Sequence, residues 1–308
     1  MSKIAFIFPG QGAQICGMGQ DFYEQAETAK EIFDKASEIL GFSMPELCFE
    51  KNDRLDITEY TQPAMVTASI AMMKVFMERT GITPSVAAGL SLGEYPAMAA
   101  AGVMSAEDAI RTVRQRGILM QEAVPVGEGA MAAILALDAA AIEAVTGAME
   151  GVWIANYNCP GQIVISGEKA AVEDACEKLK AAGAKRAVML NVSGPFHSGM
   201  LADAGERLGE VLSQVELHEP QIPYVANVTA QYVKSAAEVK ELLTRQVSSS
   251  VRWQQSVEAM IADGVDTFIE IGPGKTLAGF MRKISRDVKT LNVEKLEDIS
   301  KVAEALKS

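Results

Sequence analysis

The chain has 308 residues, 49% of them hydrophobic and 22% charged, with a formal net charge of −12. That size supports one large domain carrying a smaller one, or two domains, each with a full core. The acidic balance excludes a general nucleic-acid role, which needs a basic face. An acidic protein partner would need a local basic patch to offset long-range repulsion.

The apolar run from Ile4 to Phe8 is too short for a signal sequence, and no stretch approaches the ~18 apolar residues of a membrane span. No membrane association is expected. Cys16, Cys48, Cys159 and Cys176 have no paired spacing. They read as reduced thiols of a cytoplasmic protein, not as a disulfide frame or a zinc site.

In chain order, the Ile4 to Phe8 run predicts a first strand closed by Pro9-Gly10. Helical pattern follows over residues 21–40 and 62–80. A small-residue strand over 85–88 leads to Gly89-Leu90-Ser91-Leu92-Gly93, followed by an Ala/Met-rich helix over 94–101. Ser105, with Asp108 three residues on, marks the start of a helix over 105–122. This alternation predicts an α/β fold with a mostly parallel sheet and helices on its faces.

After Val124-Pro125 the pattern changes. Strands are expected over 130–137, 152–157, 163–166 and 187–191, with helices over 139–149 and 170–182. The order β-α-β-β-α-β is the split, ferredoxin-like plan. It is read as an inserted subdomain, residues 126–194, within a large domain formed by 1–125 and 195–308. That domain resumes with helices over 202–215, 237–246 and 253–262, and strands over 224–228 and 267–271.

The stretch around Ser91 has the form G-x-S-x-G, which sets a serine on a tight strand-to-helix turn. Its glycines leave room for close packing, and the N–H of the next residue, Leu92, is free to stabilise an oxyanion. Pro96 should bend the following helix if that helix opens at Leu92.

A serine nucleophile needs a base, and the chain has two histidines. His197, in Ser193-Gly194-Pro195-Phe196-His197-Ser198, sits where the small subdomain rejoins the large one. His218 lies between acids and reads as a surface residue. No Asp or Glu stands out to orient the base, but a backbone carbonyl could do so.

Among the arginines of the 105–122 helix, periodicity turns Arg116 inward and Arg111 outward. An inward guanidinium needs an anionic partner, either a substrate carboxylate or the protein's own in an internal salt bridge. Pro9-Gly10-Gln11-Gly12 lacks the third glycine of a dinucleotide fingerprint. Such a turn can instead bring the N–H near Gln11 to a reacting carbonyl. Gly272-Pro273-Gly274-Lys275 lacks phosphate-loop spacing and reads as a structural turn beside the cleft.

Taken together, Phe8 to Gln14, Gly89 to Tyr95, Arg116-Gly117, Asn156 to Gly167, Gly194 to Ser198, Asn227-Val228-Thr229, Gln246 and Glu270 to Gly274 form an ordered set. With it the chain resembles the malonyl-CoA:acyl carrier protein transacylases of type II fatty acid synthesis over nearly its whole length. The resemblance implies an α/β-hydrolase-like large domain and a ferredoxin-like small one. It implies Ser91 as nucleophile, His197 as base, the N–H groups of Gln11 and Leu92 as oxyanion hole, and Arg116 as the malonyl carboxylate's partner. It further implies that the Gln246 carbonyl orients His197, and that Asn158 and Phe196 line the acyl pocket, Phe196 favouring malonyl over branched units. The chain departs from the family at Leu90, where a histidine is usual.

The expected reaction is ping-pong malonyl transfer from coenzyme A to a carrier protein's phosphopantetheine thiol, with no metal or cofactor. A polyketide acyltransferase or a serine hydrolase would share the chemistry. Candidate carrier-docking cations are Lys178, Lys180, Lys185 and Arg186, and Lys275, Arg282, Lys283 and Arg286; each could equally be a solubilising charge. The acidic helices, without an evident exposed apolar stripe, suggest a monomer.

Overall fold

The computed structural model describes residues 2–192 and 194–307; Ser193, part of the motif around His197, lies outside them. The described strands, in chain order, are β1 (Ile4–Phe8), β2 (Val86–Gly89), β3 (Gly129–Leu135), β4 (Val152–Cys159), β5 (Gln162–Glu168), β6 (Arg186–Met189), β7 (Tyr224–Val225), β8 (Thr267–Ile271) and β9 (Lys289–Val293). They form two sheets.

The first sheet has the order β7-β2-β1-β8-β9, with every neighbouring pair parallel. Parallel sheets are buried on both faces, and β1 shows why this one is. Ala5 and Ile7 join one buried cluster while Phe6 and Phe8 join another. Helices therefore cover both sides, and the fold is α/β as expected.

The helix Thr58–Thr80 is buried along most of its length, so no polar stripe marks it and it begins earlier than residue 62. Pro63 lies inside it. Lacking an N–H, Pro63 leaves the Glu59 carbonyl without its helical donor. Arg114 Nη1 donates to that oxygen instead, at 2.6 Å.

The second sheet has the order β4-β5-β3-β6, antiparallel throughout. The helices Ala139–Thr146 and Lys169–Ala181 pack on it through Ile142, Val172 and Leu179 against Ile134, Ile154 and Ile165. Order and connections match the ferredoxin-like plan. A backbone seam joins this sheet to the rest of the chain. The Val251 N–H donates to the Ala155 carbonyl at 2.8 Å, and the Tyr157 N–H donates to the Val251 carbonyl at 2.9 Å.

Several elements differ from expectation. The helix over 21–40 is two, Gln20–Gln25 and Glu27–Leu40, because Ala26 between them is extended. The strand over 224–228 is only Tyr224–Val225, because the chain turns back with the Ala226 N–H donating to Gln231. The helix Thr276–Ile284, strand β9 and the helix Asp298–Ala305 had not been expected at all. β9 is an edge strand, mostly half-buried and without clean alternation. All four cysteines are free. Among the described residues, no helix is long and apolar enough to cross a membrane.

Candidate active site

β1 and β2 run in register to their ends, with Phe8 opposite Gly89. The loops after them therefore emerge side by side at the carboxyl edge of the parallel sheet, where ligand crevices form. One loop carries Gln11, the other Ser91. Ser91–Gly93 makes a single 3-10 turn and the α-helix starts at Glu94. Pro96 thus falls in the first helical turn, where N–H groups have no intrahelical partner, so the expected distortion does not arise.

Close approach explains the flanking glycines. A Cβ on Gly89 would stand 1.9 Å from the Gly93 carbonyl oxygen, and one on Gly93 would stand 2.2 Å from that of Phe8. Ser91 itself has φ 52, in the left-handed region that side chains avoid. The Ser91 N–H donates to Asn227 Oδ1 at 2.6 Å, and Asn227 Nδ2 donates to the Gly89 carbonyl at 2.7 Å. Asn227 thus brackets the turn that the glycines permit.

His197 also has a left-handed backbone, φ 58. Ser198 Oγ closes its turn by donating to the Pro195 carbonyl at 2.6 Å. The imidazole is buried, with Nε2 2.7 Å from Ser91 Oγ and Nδ1 2.8 Å from the Gln246 carbonyl oxygen. A carbonyl can only accept, so Nδ1 carries the proton and Nε2 offers its lone pair to the serine hydroxyl. Burial first, and the nearby Arg116 charge second, push the His197 pKa down to about 4, opposed by the bond to Gln246. The ring is neutral near pH 7.

Arg116 is 1% exposed. Its neighbours on the helix Ala106–Glu122 are paired: Arg111 with Asp108, and Arg114 with Glu59. Arg116 makes no ion pair among the described residues, so the internal salt bridge is not found. Its Nη1 donates to Gln62 Oε1 at 2.9 Å and its Nη2 to Gln246 Oε1 at 3.0 Å. The same Nη2 lies 3.5 Å from Ser91 Oγ, and Nε has no partner among the described residues. Two neutral amides hold the charge without neutralising it, and burial lowers its pKa.

These groups face one cleft of about 740 Å³. Gln11, Leu92, Asn158 and Phe196 line it too, as does Leu90. The Gln11 backbone N–H has no acceptor among the described residues, while its side chain donates to Thr58 Oγ1 at 3.2 Å; Asn158 Oδ1 is buried without a partner among the described residues. Thr276, Leu277 and Phe280 close one side, while none of the residues of the turn Gly272-Pro273-Gly274-Lys275 before them lines the cleft. Gln246 is buried and reaches the site through its carbonyl and its amide. His218 lies outside the cleft. A larger groove of about 1080 Å³, beside the helix Asp298–Ala305, contains none of the predicted site residues.

Sequence reasoning gave no role to Gln62, Asn227 or Glu94. The second and third stand inside recognisable motifs, but only the fold shows what they touch. Gln62 could have been sought as a polar residue in an otherwise apolar buried helix.

The acyl transferase domain family matches residues 5–301. With that match spanning nearly the whole chain, the protein is an acyltransferase. A Bacillus subtilis (strain 168) protein named malonyl CoA-acyl carrier protein transacylase is 50% identical over 312 residues, covering 100% of this chain and 98% of its own. The solved malonyl CoA-acyl carrier protein transacylase from Clostridium perfringens superposes with a TM-score of 0.96 at 42% identity, covering 99% of this chain and 98% of that one. A malonyl-transacylase in complex with a type II PKS acyl-carrier protein superposes with a TM-score of 0.95 at 40% identity, covering 99% and 100%. The chain belongs to the malonyl CoA-acyl carrier protein transacylase family.

Proposed function

We propose that the protein moves a malonyl group from malonyl-CoA to the phosphopantetheine thiol of acyl carrier protein through a malonyl ester on Ser91. The observation that carries this reading is a buried guanidinium without a carboxylate partner, 3.5 Å from a serine hydroxyl that is hydrogen-bonded to a neutral imidazole.

His197 Nε2 takes the Ser91 proton as Oγ attacks the thioester carbonyl. The oxyanion forms against the N–H groups of Gln11 and Leu92, where a single such donor contributes about 3–4 kcal/mol. Its negative charge stabilises the imidazolium, and the Gln246 carbonyl keeps the ring in place. Collapse breaks the C–S bond, and the coenzyme A sulfur takes the proton from Nε2. The carrier thiol then gives its proton to Nε2 and attacks the ester, and Ser91 leaves with that proton.

Arg116 pairs with the malonyl carboxylate, and an acetyl group would leave it unpaired. The Asn158 carbonyl oxygen and the Phe196 ring shape the pocket around the acyl chain. The coenzyme A thioester enters as a substrate; no metal or cofactor takes part. The segments 1–125 and 195–308 form the large domain, 126–194 the small one, and the cleft lies between them.

The carrier can belong to fatty acid or polyketide synthesis. Fatty acid synthesis is the first reading; what supports the polyketide alternative is the 40% identical malonyl-transacylase solved with a type II PKS acyl-carrier protein. For docking, Lys178 and Lys180 pair with Asp174 and Glu177 of their own helix, which weakens their candidacy. Arg282 and Arg286, exposed and without an ion pair among the described residues, are the better choice.

Mixing the protein with malonyl-CoA tests the reading by intact mass. The expected result is a stable malonyl adduct that Ser91→Ala abolishes. Free malonate released without an adduct would point to a hydrolase.

A further inference from the structure

Among the described residues two acids are fully buried, Glu94 and Glu270. Glu270 caps the helix Thr276–Ile284, accepting from the N–H groups of Leu277 and Ala278. Glu94, three residues past Ser91, has no part in the steps above, yet the site converges on it. Its Oε2 accepts from Gln246 Nε2 at 2.7 Å and from the Asn227 N–H at 3.1 Å.

Those two residues touch the serine elbow, the base and the arginine. Asn227 brackets the elbow, through the Ser91 N–H and the Gly89 carbonyl. Gln246 Nε2 also donates to the Ser91 carbonyl at 3.0 Å, Oε1 receives Arg116, and the peptide carbonyl receives His197. Glu94 thus stands one residue away from the serine, the base and the arginine.

The polarity of the chain of contacts is strict. A side-chain amide can point either end at a neighbour. Here a guanidinium, which only donates, faces one end, and the Glu94 carboxyl group, accepting through Oε2, faces the other. Together they leave Gln246 a single orientation. A direct Glu94–Arg116 ion pair would occupy the guanidinium. With the amide between them, the guanidinium is aimed and remains available to an anion.

We propose that Glu94 is the positioning residue of this site: through Gln246 and Asn227 it holds the Arg116 guanidinium and the Ser91 elbow in register for an acyl thioester bearing a carboxylate. This rests on the malonyl-transfer reading above. Burial raises the Glu94 pKa to about 7, while the bonds from Gln246 and Asn227 and the charge of Arg116 oppose that rise. These contacts therefore favour the acceptor-only form.

The test compares acylation by malonyl-CoA and by acetyl-CoA in the native protein, Glu94→Gln, Gln246→Ala and the double variant. Glu94→Gln keeps the size of the side chain but lets either amide end face Gln246. It is expected to lower malonyl uptake, and the malonyl-to-acetyl ratio, by about tenfold or more, as small misplacements of reacting groups do. The double variant is expected to lose less than the two single effects combined, since both cut the path through Gln246 and only the Asn227 path remains to be lost. A lower Tm with a native ratio per folded molecule would mean a purely structural role and overturns the proposal, as do additive effects. If Glu94→Gln does not fold, Glu94→Asp keeps the charge but withdraws it by one methylene. It is expected to lower the ratio by a smaller factor, and a native ratio there also overturns the proposal. A native protein without any malonyl adduct removes the malonyl reading and this proposal together. A native adduct with an unchanged ratio in the variants removes the proposal alone.

Discussion

Ser91 and His197, 106 residues apart in the chain, both adopt left-handed backbone conformations, with φ 52 and 58, and meet at 2.7 Å between Oγ and Nε2. Neither is glycine, so the chain bears a conformational cost on both sides of one hydrogen bond. Strain of this kind persists where the surroundings over-determine it. The Asn227 bracket and the closed Pro195–Ser198 turn are those surroundings.

The strain is measurable by substitution. Ser91→Gly and Ser91→Ala both remove the proposed nucleophile, but only glycine accepts φ 52 without cost. Ser91→Gly is expected to be more stable than Ser91→Ala by about 1 kcal/mol. Thermal or urea unfolding of the pair checks this, and equal stabilities would refute it.

Acid should switch acylation off through His197. With its pKa lowered to about 4 by burial and by Arg116, the neutral base persists well below the ordinary histidine range of about 6.5. The malonyl-acylation rate is expected to fall by one proton as pH drops through about 4. Glu94, with a pKa near 7, adds a separate, partial fall there through its positioning role, and Glu94→Gln is expected to remove that step. The sign for stability follows from linkage. Between the unfolded and folded values the unfolded chain binds the extra proton, so the His197 contribution is complete above about 6.5 and shrinks as pH falls toward the folded value. In Glu94→Gln, which lacks the step near 7, a single-turnover acid limb near 6.5 in place of the one near 4 would show an exposed, unperturbed imidazole.

Arg116→Ala is expected to cost malonyl uptake about 10–100-fold, the range of a hydrogen bond to a charged group. Relative acetyl uptake should rise. Because the guanidinium is buried without an ion pair, its removal should destabilise the fold less than breaking a buried salt bridge, which costs about 3–5 kcal/mol. Acylation assays with the two thioesters and a melting curve decide both points; an unchanged preference would take Arg116 out of the mechanism.

Gly89→Ala tests the elbow's packing. Its new Cβ would stand 1.9 Å from a backbone oxygen that has no flexible side chain to move away. Loss of more than about 3 kcal/mol is expected, well beyond the ordinary effect of a point substitution. A folded variant should show a displaced serine and no adduct. Native stability and activity together would mean that the turn opens easily.

Charge reversal at Arg282 and Arg286 should slow malonyl transfer to the carrier protein and leave acylation by malonyl-CoA intact. Stopped-flow measurement of each half-reaction separates the two. An equal loss in both would assign these cations to the fold or to coenzyme A rather than to docking.

Much of the architecture could be read from local chemistry. The helix Ala106–Glu122 announced itself by Ser105, whose Oγ accepts from the Asp108 N–H at 3.0 Å, and the 3.6-residue period turned Arg116 inward. The antiparallel sheet followed from alternating strands and their connections. What stayed hidden depended on contacts distant in sequence. Glu94 looks like an ordinary first-turn acid until Gln246, 152 residues on, donates to it. β9 has an irregular edge-strand pattern, and the turn at Ala226 shortens β7 through a partner five residues later. Gln62 looked like the polar start of a helix whose first turn lies before it.

Pro63 has a consequence for the cleft. By freeing the Glu59 carbonyl, it gives Arg114 a backbone anchor beside its ion pair with the Glu59 carboxylate. Arg111 is tied to Asp108. A helix with three guanidiniums within two turns could have flooded the serine with positive field. Instead Arg116 is the lone cation lining the cleft among the described residues. The protein has sorted its cations by address, and the count left at the serine, one, equals the number of free carboxylates on a half-esterified three-carbon diacid.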